Sequence, residues 1–164
     1  MVHTDGQPLR YPDGRKVEFA ADSSALSSDD AYLFWKVLTG ATLYRIPTAA
    51  LRGEGLAGND VSAFVQPYGK VGRTDGFWIA RGTKILFITW IEDNAIRARD
   101  LRHGPAGGLH TVLQDPRLRW PDTFSQARWQ PVHDHFAHPG FGIFQAGRAA
   151  GLANAVMAGD VGRR

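Results

Sequence analysis

At 164 residues the chain has the length of one domain, and its balance of 43% hydrophobic to 21% charged residues belongs to a globular core rather than a disordered or fibrous protein. The absence of cysteine excludes disulfides, thiolate nucleophiles and cysteine-based zinc sites. A net charge of +3 is too small for the strong single-sign field of a dedicated polyanion binder, although the basic excess is mostly arginine, at fifteen Arg to four Lys.

From the N-terminus, segments 9–11 and 15–19 flank Pro12-Asp13-Gly14. A proline followed by Asp-Gly between alternating segments predicts a small opening hairpin, with the glycine supplying positive φ. Residues 22–28 are serine-rich and read as a loop. Ser28, Asp29 and Asp30 make a helix start, the hydroxyl capping free N–H groups and the carboxylates lying at the positive end of the dipole. Ala31, Phe34, Trp35 and Leu38 then fall at i, i+3, i+4 and i+7, and Gly40 supplies a stop, which predicts an N-terminal helix with an aromatic face. Residues 42–46 read as a strand ended by Pro47. Thr48 caps one turn over 48–51, a glycine-rich mobile loop spans 53–60, and 61–65 reads as another strand.

The centre of the chain is 77–101, where pattern, turn chemistry and apolar content agree on three adjacent antiparallel strands. The run 85–91 is apolar except for Thr89 and rich in β-branched and aromatic residues, which argues for a strand covered on both faces. Arg81-Gly82-Thr83 joins it to 77–80, and Glu92-Asp93-Asn94 turns it into 96–101. A further strand is expected over 109–113. Beyond Asp115, prolines at 116, 121, 131 and 139 discourage long elements, although Asp122 could cap a short helix through Trp129. Residues 140–159 alternate small and apolar residues at helix spacing. The stripe Gly147, Gly151, Ala155 suits close packing within the chain or a homodimer contact equally. No internal repeat or long linker divides the sequence, so one domain over 1–164 is expected. No apolar run nears the roughly 20 residues of a bilayer span, and the first residues lack the pattern of an export signal; the expectation is a soluble, cytoplasmic protein with no membrane partner.

Several groups of residues could carry chemistry. His133 and His135 would point the same way on a strand and, with His138, could hold a divalent transition metal in a hydrolase; surface histidines in a proline-bounded loop are the simpler alternative. A cupin-like site lacks the glutamate that should follow. Arg97, Arg99, Arg102, Arg117, Arg119 and Arg128, interleaved with Trp120 and Trp129, are materials for a nucleic-acid surface, against which stand the neighbouring Asp100, Asp115 and Asp122. Leu43-Tyr44-Arg45-Ile46-Pro47 resembles the first motif of NAD-dependent ADP-ribosyl transferases, but the serine-threonine-serine run and the paired glutamate that should follow are absent. The loop 53–58 is no Walker loop, because the Gly-Lys-Ser/Thr ending is missing.

The stretch from Gly82 to Glu92, a glycine turn, an apolar strand and Thr-Trp-x-Glu, together with the strands around it, resembles the middle of the small calycin-type barrels typified by phenolic acid decarboxylases over about residues 77–113. That resemblance implies a barrel holding a small aromatic acid between tyrosines, an arginine and a glutamate, decarboxylated without a cofactor; by position it carries over Glu92. The family's paired N-terminal tyrosines have no match here. The expected fold class is α+β: a single domain, mainly an antiparallel curved sheet or partly closed β-barrel, with one N-terminal and one C-terminal helix. The leading expectation is a small-molecule-binding protein, or a cofactor-free enzyme, acting on an aromatic or acidic metabolite. Glu92, Arg97 and His110 are its catalytic candidates, and Tyr44, Arg45, Trp35, Trp90 and Arg99 its ligand contacts. The alternatives are an accessory or inhibitor protein of the mobile-element type, binding a protein or nucleic-acid partner through the arginine-rich C-terminal half, and the metal-dependent enzyme using His133, His135 and His138.

Overall fold

The computed structural model describes residues 1–4, 6–53, 60–126, 141–144 and 156–157. The opening segment holds β1 (His3–Thr4) and β2 (Gln7–Pro8), paired with each other. The turn at Pro12-Asp13-Gly14 forms as the sequence predicts, with Gly14 at φ 84° and its N–H donating to the Tyr11 carbonyl. The hairpin around it reduces to a bridge between Arg10 and Lys16.

Two four-stranded antiparallel meanders follow. The first is β3 (Ala21–Leu26), β4 (Tyr32–Val37), β5 (Thr42–Pro47) and β6 (Gln66–Lys70), paired in chain order. The second is β7 (Phe77–Ile79), β8 (Ile85–Trp90), β9 (Ala95–Asp100) and β10 (Leu109–Gln114), again in chain order. A third sheet pairs β11 (Thr123–Gln126) with β12 (Phe141–Phe144), and β12 with β13 (Val156–Met157). The repetition of one antiparallel unit was not visible as a sequence repeat.

The second meander matches the expected central strands closely. Leu86 pairs with Ile79 and Arg99, and Asn94 takes the left-handed conformation, at φ 50°, that the tight turn between β8 and β9 requires. The first meander corrects the sequence reading at both ends. The serine-rich 22–26 is strand rather than loop, and 32–37 is strand rather than the aromatic-faced N-terminal helix. Asp29 does not cap a helix: its carboxylate accepts from Ser27 Oγ at 2.6 Å and from the Ala31 N–H, while Asp30 sits at φ 55°, so 27–31 becomes the turn between β3 and β4. Phe34 and Lys36 then fall on one face by strand alternation and both are buried. The expected strand at 61–65 is instead a 3-10 turn (Val61–Phe64), and the strand that pairs with β5 lies just after it. The α-helix among the described residues is α1 (Thr48–Leu51). The segment 123–126 is strand, not the short helix begun by Asp122, and the expected C-terminal helix meets strands β12 and β13, the rest of it lying outside the described residues along with Gly147, Gly151 and Ala155. Among the described residues no closed barrel forms and no helix is long and apolar enough to cross a membrane.

The sheets stack face to face. Phe34, Leu43 and Tyr68 from the first sheet pack against Phe77, Ile79, Leu86 and Ile88 from the second. The other face of the second sheet, through Phe87, Ile96 and Ala98, receives Leu118 and Phe124, with Trp78 stacked at 6.4 Å from Phe124. Strand β7 contacts β3 on one side and β11 on the other, so the first strand of each unit lies at a shared inner edge from which the sheets radiate. A third cluster, Val2, Leu38 and Ile91 with Leu9, Phe19 and Trp120, caps the end at which these first strands enter. The outward face of the first sheet carries Leu26 and Val37, which are 52% and 36% exposed.

Candidate functional site

The polar groups gather where the three inner strands begin. Between Ala21 and Ser24 the pairing of β3 with β4 slips by one residue, a bulge that falls on Asp22 and Ser23. Buried Ser23 donates its hydroxyl to the Thr74 carbonyl at 3.0 Å, tying the bulge to the loop before β7. That loop is fixed from below by Thr89, which has no exposed surface: its Oγ1 lies 3.0 Å from Thr74 Oγ1 and accepts the N–H groups of Asp75 at 3.2 Å and Gly76 at 2.9 Å. Gly76 is held against the next unit so closely that a Cβ there would lie 1.5 Å from the Asp122 carbonyl oxygen. Segments 22–23, 74–76 and 120–122 therefore meet, each at the entrance to its own inner strand.

Asp75 lies at the centre of this junction. Its Oδ2 accepts the Trp120 indole N–H at 2.5 Å, and Trp120 is itself at φ 51°, a left-handed conformation that is unusual for a bulky side chain. Burial pushes the Asp75 carboxyl up to about 6, and the neighbouring carboxylates of Asp122 and Asp22 push in the same direction. The Trp120 hydrogen bond pulls in the opposite direction. The result is a carboxyl that changes charge near neutral pH.

Cations complete the cluster. Lys36 has no exposed surface, and its Nζ donates to the carbonyls of Gly72 at 2.9 Å and Leu38 at 3.1 Å. Burial pushes it down to about 8, with the nearby Arg73 charge adding to the effect. Arg73 Nη1 donates to Glu92 Oε2 at 3.2 Å, and His3 Nδ1 lies 3.3 Å from Glu92 Oε1, so the N-terminal strand closes over the turn after β8. The Trp90 ring lies against Gly72, where a Cβ would come within 2.1 Å of it, and the Arg97 guanidinium lies 3.7 Å over the same ring while pairing with Asp93.

Of the expected site residues, Glu92, Trp90 and Arg97 therefore share the β8–β9 turn at this end. The others are dispersed. Trp35 and Tyr44 stack on each other at 5.7 Å as cross-strand neighbours on the outward face of the first sheet. Arg45 lies 4.3 Å over Tyr32 and 4.6 Å over Tyr68 and donates to Gln66. Arg99 is a buried strut that donates to the carbonyls of Tyr68 at 3.0 Å and Lys70 at 2.7 Å, joining β9 to β6. His110 is exposed on the outer strand β10 opposite Ala98. Phe34 and Phe87 pack at opposite interfaces of the second sheet. Of the arginines expected at a nucleic-acid face, Arg102 pairs with Asp100 at 2.5 Å and Arg117 with Asp115 at 2.6 Å, whereas Arg128 and Trp129 lie outside the described residues. His133, His135 and His138 lie outside the described residues, and among the described residues no three His, Cys, Asp or Glu side chains form a group able to hold a metal.

Sequence reasoning missed Asp22, Lys36, Asp75 and Thr89. A signal was present: Asp75-Gly76-Phe77 and Asp122-Thr123-Phe124 both place an aspartate two residues ahead of an aromatic that is the first or second residue of an inner strand. No protein-family model matches the chain, and no curated protein matches it.

Proposed function

We propose that the protein binds a small molecule at the strand-entry end, against Asp75, Asp22, Asp122 and Trp120, with Asp75 as the acid–base group of a cofactor-free reaction. The observation that carries this reading is the Asp75 carboxyl, pushed up to about 6 and held on an indole whose backbone is in a disfavoured conformation. A carboxyl poised near neutral pH serves as both proton donor and proton acceptor, and a neighbouring aspartate that shares its proton is one recurrent way to set that value. The cluster carries more carboxylates than available cations, because Lys36 is fully buried and Arg73 is paired with Glu92. That balance favours an aromatic compound bearing hydroxyl or basic groups over an acidic one, the ring lying on Trp120 and the polar groups on the carboxylates.

The test is a ligand screen by two-dimensional NMR with small aromatic amines, phenols and aromatic acids. Binders should shift the Trp120 indole resonance and the amides of 74–76, and should weaken at least tenfold in Asp75→Asn. If none of these compounds moves the resonances of 22–23, 74–76 or 120–122, the assignment of the site is wrong.

A further inference from the structure

Arg45 lies toward the other end of the fold from the Asp75 junction, because antiparallel pairing carries the start of β4, the end of β5 and the start of β6 away from the entrances of the inner strands. Its chemistry there does not depend on that junction. Phe34 is its neighbour on β4 and Gln66 its neighbour on β6. The guanidinium carbon lies 4.3 Å from the centre of the Tyr32 ring and 4.6 Å from that of Tyr68, and since β4 and β6 flank β5 the two rings approach it from opposite sides. The rings are themselves fixed. Tyr68 is buried, meets Phe34 edge-on at 5.2 Å and donates its hydroxyl to the Leu101 carbonyl at 2.9 Å. The turn leading into Tyr32 is tied to the second sheet by Ser28 on the Thr83 carbonyl and by the Lys84–Asp29 pair.

The polar partner of Arg45 sets it apart. Among the described arginines, Arg45, Arg73, Arg97 and Arg99 are the ones withdrawn wholly or partly from solvent. Arg73 is paired with Glu92 and Arg97 with Asp93, and Arg99 gives both Nη groups to the carbonyls of Tyr68 and Lys70. Arg45 instead donates Nε to the neutral Gln66 Oε1 at 2.9 Å, and among the described residues neither a carboxylate nor a carbonyl takes its Nη groups. An amide thus stands where a glutamate would have neutralised the charge. A half-buried cation with a neutral partner keeps an unbalanced field, and the two parallel Nη N–H bonds at the end of the fork match two oxygens of a carboxylate or phosphate.

We propose that Arg45, held by Tyr32, Tyr68 and Gln66, is the receptor for the carboxylate or phosphate group of a small anionic ligand, bound end-on through both Nη groups. The guanidinium is half-buried on the face where two sheets pack, which a single anionic group reaches more readily than an extended macromolecular surface. Its rotamer is already set by the rings and by Gln66, so binding requires little further ordering.

Nitrogen NMR of the arginine side chains in the full chain reads the guanidinium directly. Sodium acetate and inorganic phosphate are the probes, with sodium chloride as the control at matched ionic strength and fixed pH. Acetate or phosphate should shift the Arg45 Nε and Nη resonances saturably while chloride does not, and the tighter of the two identifies the group that the ligand carries. Arg45→Lys keeps the charge but loses the fork, and Gln66→Glu sets a carboxylate on Nε; each should weaken the binding about tenfold or more, followed on the backbone amides of residues 45 and 66. Arg102→Lys, at an exposed guanidinium already paired with Asp100, should leave it unchanged. Arg45 resonances that stay still with both oxyanions or move as far with chloride, or an affinity unaltered by Gln66→Glu, would overturn the proposal. Should Arg45→Lys fail to fold, Gln66→Glu decides alone, because it keeps both rings and the guanidinium.

Discussion

Lys36 is the side chain whose position is hardest to reconcile with its chemistry. A fully buried ammonium is tolerated because two backbone carbonyls, those of Leu38 and Gly72, receive its protons, and because the carboxylates of Asp75 and Glu92 act on it from a distance. Its folded value is lowered from 10.5 to about 8, so between those values the unfolded chain holds a proton that the folded chain has released. Stability should therefore rise with pH across that interval. Urea unfolding of wild type and Lys36→Met between pH 7 and pH 10 checks this. The wild type should gain stability relative to the variant as pH rises, whereas parallel curves would mean that the amine is solvated. Trp120 makes the complementary case at the backbone. A left-handed conformation costs an L-residue about 1–2 kcal/mol, and here it is maintained where the indole reaches Asp75 and the ring packs 6.2 Å from Phe19.

Among the elements, β8 was the most legible and β4 the least. The run Ile85 to Ile91 has β-branched residues, no competing helix period and a glycine turn ahead of it, so local preference and final packing agree. Residues 31–38 fit both periods: Ala31, Phe34, Trp35 and Leu38 mark a helix face, while Tyr32, Phe34 and Lys36 mark a strand face. What decides is non-local. As a strand, Phe34 reaches Tyr68 at 5.2 Å and Lys36 reaches the Gly72 carbonyl, partners that one sequence window does not contain. The site divides in the same way. Trp90, Glu92 and Arg97 were readable because they are neighbours in one turn, whereas Asp22, Asp75 and Asp122 meet only through the stacking of three sheets. Gly76 reports that stacking directly. Gly76→Ala sets a methyl group into the Asp122 carbonyl, whereas Gly82→Ala adds one in open space at φ 75° and should cost about 1–2 kcal/mol through the backbone alone. Chemical unfolding should find Gly76→Ala the more destabilised of the two, and equal losses would mean that the β7 and β11 entrances are not packed together.

For the molecule as a whole, repetition of one unit concentrates the chemistry. Each sheet buries its faces against the next through Leu86, Ile88, Phe87 and their partners, which leaves the strand entrances as the place where backbone groups and carboxylates from different units converge. A site formed that way depends on all three units being in register. The raised Asp75 carboxyl is the observable that depends on the whole arrangement, since burial, Asp22 and Asp122 all act on it. Its most direct measurement is a carbon-detected NMR titration of the aspartate side-chain carboxyls in the intact protein between pH 3 and pH 8. The structure predicts a midpoint near 6 for Asp75, with the Trp120 indole proton shifting at the same midpoint; a midpoint at the ordinary aspartate value of 3.8 would contradict both the junction and the site built on it.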